Sequence, residues 1–268
     1  MNKEASTIPP SRKPHVVVSM TSFPAAIEYA QKAVVSLLKG KVLPDKIVLY
    51  LTYSQFGSNG IPGSLLELAN NCPLLEIRDY PEDIRSYRKL LPALKDFPDS
   101  VIVTVDDDVE YHPEMLAKLL EVHARFPHDV IAHRTKEMRP SLPYKKWKKH
   151  RWYNFLFKRI IRNPLTMQTG VAGVLYPPHA LDPEIIGSEL FKTIAPTTDD
   201  IWFWAATIAN GRVVIPVPFG CNKPKSLGKP KALSLKCVNY KGGDDRNSRA
   251  LANILSAFPQ IKTRLPLQ

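Results

Sequence analysis

Short apolar runs alternate with amphipathic stretches through the first half of the chain. His15-Val-Val-Val-Ser-Met20 is a strand-type run, closed by Thr21-Ser-Phe-Pro24. Ile27, Ala30, Val34, Leu37 and Leu38 then recur at three and four, the spacing of one helix face. Pro44 to Leu51 predicts a second strand, Gly57 to Gly63 a loop and Ser64 to Asn70 a short helix. Leu74 to Asp79 predicts a third strand, and Tyr87 to Leu94 a helix in spite of Pro92. Val101 to Val105 is the fourth strand, followed by an amphipathic helix from Pro113 to Phe126 with Leu116, Leu119, Leu120 and His123 on one face. This alternation predicts βαβ units on a parallel sheet, an α/β fold of the doubly wound kind.

The second half is less regular. Val130 to His133 and Val213 to Val217 read as strands, Gly170 to Tyr176 as a glycine-bearing strand, and Asp200 to Asn210 as a helix ending at Gly211. A last helix spans Ser248 to Phe258. Residues 1–14 form a polar arm, and 15–268 a single domain of a regular half (15–126), a less regular half (127–247) and a C-terminal helix and tail (248–268).

Composition narrows the classes. At 44% apolar content, 268 residues bury a sizeable core, and 25 prolines scattered among apolar runs exclude a collagenous or low-complexity chain. No apolar stretch reaches the roughly 18 residues of a spanning helix, and the first 14 residues lack the apolar core of a secretory signal. Cys72, Cys221 and Cys237 are too few and too scattered for a disulfide framework, which predicts reduced, mostly buried thiols in a soluble, cytoplasmic protein. The net charge of +12 is concentrated: between Tyr144 and Arg162 stand Lys145, Lys146, Lys148, Lys149, Arg151, Lys158, Arg159 and Arg162, with no acid. Such a patch predicts an anionic partner surface.

Two acidic clusters carry the candidate chemistry. Asp106-Asp107-Asp108 directly follows the fourth strand, and open parallel sheets bind ligands at the carboxyl ends of their strands. Adjacent carboxylates repel unless a cation or hydrogen bonds neutralise them. In an extended segment Asp106 and Asp108 share one side, an arrangement that suits a hard divalent ion with positions open to phosphate oxygens. A helix cap is the plainer alternative, for which one Asp would do. The second cluster is Thr197-Thr-Asp-Asp-Ile-Trp202, where Thr198 or Asp199 is a candidate N-cap. A carboxylate at the edge of the apolar run that follows would have its pKa raised by desolvation toward that of a general base.

Together with the strand pattern, these clusters resemble GT-A-fold glycosyltransferases that use nucleotide sugars, in particular small bacterial enzymes of capsule and O-antigen assembly. The resemblance covers about residues 15 to 245 and implies a Rossmann-like, mostly parallel sheet flanked by helices, with 15–126 as the nucleotide-binding half and 127–247 as the acceptor and catalytic half. It implies that Thr21, Ser22, Phe23 and Pro24 seat the nucleoside. Asp83, Tyr87 and Lys89 would contact the nucleotide, and Gly173 would line the donor-sugar side. Val103-Thr-Val-Asp-Asp-Asp-Val109 fits the DxD motif, which places Asp106, Asp107 and Asp108 in the donor site and turns Asp106 and Asp108 toward Mn²⁺ or Mg²⁺. Asp199-Asp200 fits the acidic pair that carries the catalytic base of inverting members, with Asp200 as the base by position.

Two departures stand out. Relatives often supply a late histidine to the metal, whereas here none follows His179, and Asp244 and Asp245 are the substitute candidates. The usual acidic pair is Glu-Asp, whereas this chain has Asp-Asp. The implied reaction moves a sugar, from a UDP-sugar by expectation, to a hydroxyl of a glycan or lipid-linked glycan. Lys89 and basic residues of the 223–246 loop would offset phosphate charge, and core packing is the expected role of Trp202 and Trp204.

In the basic segment, Lys145, Lys146, Lys148 and Lys149 with Trp147 and Trp152 read as a peripheral membrane or acceptor surface. Nucleic-acid binding is the weaker alternative, because no nucleic-acid motif accompanies the patch. A haloacid-dehalogenase-like phosphatase with Asp106 as nucleophile also matches strand-Asp106-Asp-Asp-Val109, but three strands precede it where that family has none. A non-enzymatic basic binding module has no need of five carboxylates near one site.

Overall fold

The computed structural model describes residues 15–150, 162–234, 237, 239 and 245–266. The polar arm, Trp152, most of the basic aromatic segment and Asp244 lie outside them. Twelve strands are described: β1 (Val16–Thr21), β2 (Lys46–Leu51), β3 (Leu75–Asp79), β4 (Val101–Thr104), β5 (Val109–Glu110), β6 (Val130–Ala132), β7 (Thr135–Glu137), β8 (Lys148–Lys149), β9 (Thr166–Gln168), β10 (Val174–Tyr176), β11 (Val214–Pro216) and β12 (Lys225–Ser226). The helices are α1 (Ile27–Leu37), α2 (Gly63–Asn71), α3 (Leu91–Asp96), α4 (Met115–Arg125), α5 (Pro183–Gly187), α6 (Phe191–Ile194), α7 (Asp199–Ala209) and α8 (Arg246–Ala257).

Seven strands form the central sheet in the order β11-β6-β10-β4-β1-β2-β3. All pairings are parallel except those of β10, which runs antiparallel to both β4 and β6. Strands β1 and β2 are almost wholly buried, as β-branched runs with both faces covered by helices should be. In α4 the buried stripe is Met115, Leu116, Leu119 and Val122, with His123 and Leu120 at its margin. Helix α7 is buried at every position from Ile201 to Ala209, the pattern of a helix enclosed on all sides. Trp202 and Trp204 are fully buried in it, so both are core residues, and the Trp204 indole donates to the Pro164 carbonyl at 3.0 Å.

The helix expected over 87–94 is broken. A 3₁₀ segment, Arg85–Lys89, meets α3 at Leu90, whose φ of −121° lies outside the helical range, and Pro92 sits in the first turn of α3, where its missing N–H costs nothing. The irregular second half hides a small antiparallel sheet, β8-β7-β9, and β12 pairs with β5. None of the three cysteines is buried as expected: Cys72 and Cys221 are half-buried, Cys237 is exposed, and all are free thiols. Among the described residues no helix is long and apolar enough to cross a membrane.

Candidate active site

The two acidic clusters meet at the carboxyl end of β4. Asp106 to Asp108 leave that strand in a turn, so the side-to-side alternation expected of an extended segment does not hold. Asp106 instead faces Lys89, with Nζ to Oδ1 at 2.9 Å, and Asp107 and Asp108 together face Lys229, at 2.7 and 2.9 Å. Asp107 is buried and its second oxygen accepts from the Ser22 hydroxyl at 2.6 Å. Burial pushes its pKa up, against the opposing pull of the Lys229 ammonium.

Lys89 joins the two clusters. It is buried, and its ammonium lies 2.9 Å from Asp106 and 3.2 Å from Asp199. Desolvation alone would lower its pKa, but the fields of Asp106, Asp199 and Asp200 outweigh it and hold the amine well above its ordinary value. Asp199 also accepts from the Ser86 hydroxyl at 2.8 Å.

Asp200 is half-buried beside these groups, in the first turn of α7. Its Oδ1 accepts from the Gly170 amide at 3.0 Å, and its backbone carbonyl accepts from the Gln168 side chain at 3.0 Å. Burial first, then the adjacent Asp199, pushes the Asp200 carboxyl up to about 7, while Lys89 pulls the other way. A carboxyl poised there can accept a proton at neutral pH.

Gly170 brings the groups together. A Cβ at this position would lie 2.7 Å from the Lys89 ammonium, 3.3 Å from Asp200 and 3.6 Å from Asp106. Gly173, expected to line the donor side, packs against α4 instead. Its φ is +99°, and an added Cβ would press on Met115 of that helix at 3.0 Å. The antiparallel run of β10 explains the placement of Gly170. Val174 pairs with Thr104, so the loop entering β10 arrives where β4 ends.

Other expected positions divide. Thr21 donates to the Tyr50 carbonyl at 2.9 Å and accepts from Arg88, Phe23 is half-buried, and Pro24 is exposed at the start of a 3₁₀ turn. Asp83 is exposed and accepts from the Arg85 amide at 3.0 Å. Tyr87 offers no surface to a nucleotide: it is fully buried, its hydroxyl donates to the Ala195 carbonyl at 2.6 Å, and its ring stacks on Phe191. Asp245, expected as a substitute metal ligand, caps α8, accepting from the amide and hydroxyl of Ser248 and the amide of Tyr144. Trp147 is buried, with its indole on the carbonyls of Arg139 and Leu142, so it takes no part in the exposed surface formed by Lys145, Lys146, Lys148 and Lys149.

Three residues have no clear signal in the sequence. Arg88 is buried and donates to Thr21, Thr52 and the Ser22 carbonyl, tying the ends of β1 and β2. Tyr111 accepts from the Asp106 amide at 2.7 Å through its hydroxyl, and its spacing of five from that aspartate is a signal only once the turn is known. Lys229 stands 122 positions from Asp107, beyond any local pattern.

The charge of the cluster suits a divalent cation. Among the described residues, Lys89 and Lys229 are the cations ion-paired with Asp106, Asp107, Asp108 and Asp199, fewer than the carboxylates, so a diphosphate would meet negative charge. No hydrogen bond or ion pair among the described residues reaches Asp106 Oδ2 or Asp108 Oδ1, on side chains 30% and 27% exposed. Among the described residues no group of three or more His, Cys, Asp or Glu is arranged to hold a metal. Asp106 and Asp108 are two carboxylates, a number with which a Mg²⁺-type ion can complete its shell from phosphate and water.

No family model matches the sequence, and no curated protein matches it. Solved structures do. A mannosyltransferase, PcManGT from Pyrobaculum calidifontis in complex with GDP-Man and Mn²⁺, aligns over 95% of this chain and 74% of its own, with a TM-score of 0.53 and 15% identity. GalNAc-T7, with UDP, GalNAc and Mn²⁺, aligns over 92% of this chain and half of its own, with a TM-score of 0.57 and 11% identity. Neither comparison favours the phosphatase or binding-module readings. With its mostly parallel seven-stranded sheet, its antiparallel β10 and these structural neighbours, the chain has the GT-A fold of nucleotide-sugar glycosyltransferases.

Proposed function

We propose that the protein is a metal-dependent glycosyltransferase that moves a sugar from a nucleoside-diphosphate sugar to a hydroxyl of a glycan or lipid-linked glycan, with inversion. The observation that carries this reading is Asp200, a carboxyl poised near neutrality beside Asp199, which Lys89 joins to Asp106 at the end of the strand. Both structural neighbours hold Mn²⁺ beside a nucleotide or nucleotide sugar, which supports the same donor chemistry here.

Asp106 and Asp108 would hold Mn²⁺ or Mg²⁺, which when bound supplies Lewis-acid stabilisation of the departing diphosphate. The turn of Thr21 to Pro24, held by Arg88, would seat the nucleoside. Asp200 would take the proton of the attacking hydroxyl at its free oxygen while the Gly170 amide fixes the other. Lys89 would set its ammonium between Asp106 and Asp199 and offset their mutual repulsion. A UDP-sugar donor and a role in bacterial surface-polysaccharide assembly complete the reading. The exposed Lys145, Lys146, Lys148 and Lys149 support a peripheral seat on an anionic cytoplasmic membrane face, where a lipid-linked acceptor would lie.

Calorimetric titration of UDP and GDP, with and without Mn²⁺, tests the donor site. Metal-dependent binding that disappears in Asp106→Ala/Asp108→Ala is expected. Failure of every nucleoside diphosphate to bind would overturn the proposal.

A further inference from the structure

Lys229 reaches the aspartate cluster by construction. Strand β12 pairs with β5, with Ser226 opposite Val109 and Lys225 opposite Glu110. The ladder continues through the Leu227 amide, which donates to the Asp108 carbonyl at 2.9 Å. Gly228 then turns the chain with a φ of +86°, a conformation that glycine adopts without strain, and its amide donates to the Ser226 hydroxyl at 3.2 Å. The next residue is Lys229, whose side chain is 11% exposed and whose ammonium bridges Asp107 and Asp108. A backbone register thus fixes this cation on one of the two carboxylates that would hold the metal.

We infer that Lys229 guards the metal site: its ammonium and a divalent cation compete for Asp108, so the ion enters together with the nucleoside diphosphate and binds poorly alone. This rests on the proposed donor chemistry. An ammonium and a dication on one carboxylate repel each other at short range. In the free protein, Lys229 has no other described anion than Asp107 and Asp108. A bound diphosphate supplies one, and the lysine can turn to it as the metal takes Asp108. Metal and nucleotide then bind with positive coupling, by an amount that Lys229 sets, and the coupling is reciprocal.

The test compares the wild-type protein with Lys229→Gln, using Mn²⁺ alone as the probe and electron paramagnetic resonance of the unbound ion as the readout. Without nucleotide, the variant is expected to bind Mn²⁺ about tenfold more tightly or better, because an uncharged amide no longer contests Asp108. Addition of GDP or UDP is expected to tighten Mn²⁺ binding in the wild-type protein, and to do so less in the variant. Lys229→Arg, which keeps the charge, is expected to stay as weak for Mn²⁺ as the wild type. Circular dichroism establishes that each variant is folded. Equal Mn²⁺ affinity in folded Lys229→Gln and wild-type protein would overturn the inference, as would tight binding by Lys229→Arg. Failure of nucleotides to bind either protein would instead count against the donor reading, and the comparison with Mn²⁺ alone would still report on Lys229.

Discussion

The two acidic clusters are held by unlike material. The aspartate cluster hangs from β1 to β4, parallel strands of four to six residues whose side chains are mostly buried. Opposite it, Asp200 is reached through β7, β8 and β9, strands of two or three residues, and through the enclosed helix α7. The first side is positioned by a sheet edge, which fixes where a strand ends. The second is positioned by hydrogen bonds to single groups, Gly170 and Gln168 onto Asp200. Rigidity on one side and individually adjustable contacts on the other is a sensible division, if one side reads a constant nucleotide and the other a variable acceptor.

The sharpest way to break this division is Asp200→Asn. Loss of the base is expected to lower transfer by about 10² to 10⁴-fold while nucleotide binding persists, since the donor side is untouched. Wild-type transfer should rise with pH through about 7, and the variant should lose that limb. A variant that kept full activity would remove Asp200 from the mechanism. Lys89→Met attacks the link between the sides. It strips the counter-charge from buried Asp199 and partly exposed Asp106, and about 3 kcal/mol of stability should disappear in urea unfolding. A neutral outcome would mean that the two clusters tolerate one another without the lysine.

Smaller effects refine the picture. The folded-state Asp200 keeps its proton to about 7, whereas an unfolded one releases it near about 3.9. Between these values the native state binds more protons, so this group makes stability fall as pH rises. Asn has no proton to lose, and Asp200→Asn should flatten that fall by roughly 1–2 kcal/mol between pH 4 and 8, after allowance for partial exposure. Urea unfolding at the two pH values reads the difference. Smallest of all, Lys145→Ala and Lys146→Ala should each weaken binding to phosphatidylserine vesicles by about 1 kcal/mol at low salt, and sedimentation with neutral vesicles should show no change.

What is legible in the sequence follows the same division. Continuous β-branched runs such as Val16 to Val18 and Val101 to Val103 announce buried strands, because burial on both faces leaves no polar position to confuse the pattern. Asp106, Asp107 and Asp108 stand out for the same reason, following such a run directly. Strands of two or three residues are too short to show a period, so the sheet of β7, β8 and β9 leaves no trace, and Lys148 and Lys149 read only as charge. Arg88 and Lys89 stand in a short basic run with no apolar period around it, yet both are buried, on partners from other segments of the chain. Tyr87 and Trp147 suggest surface chemistry because aromatic side chains give the same signal in a core and at an interface.

The pairing of Lys229 with Asp107 has a consequence for the chain as it is made. Ser22 meets Asp107 across 85 positions, but the cation that neutralises it lies 122 positions downstream. While a ribosome is still adding those residues, β1 to β4 are already synthesised, and the buried Asp107 lacks the Lys229 ammonium. Until the late loop emerges and closes on it, Asp107 has the Ser22 hydroxyl and water for partners.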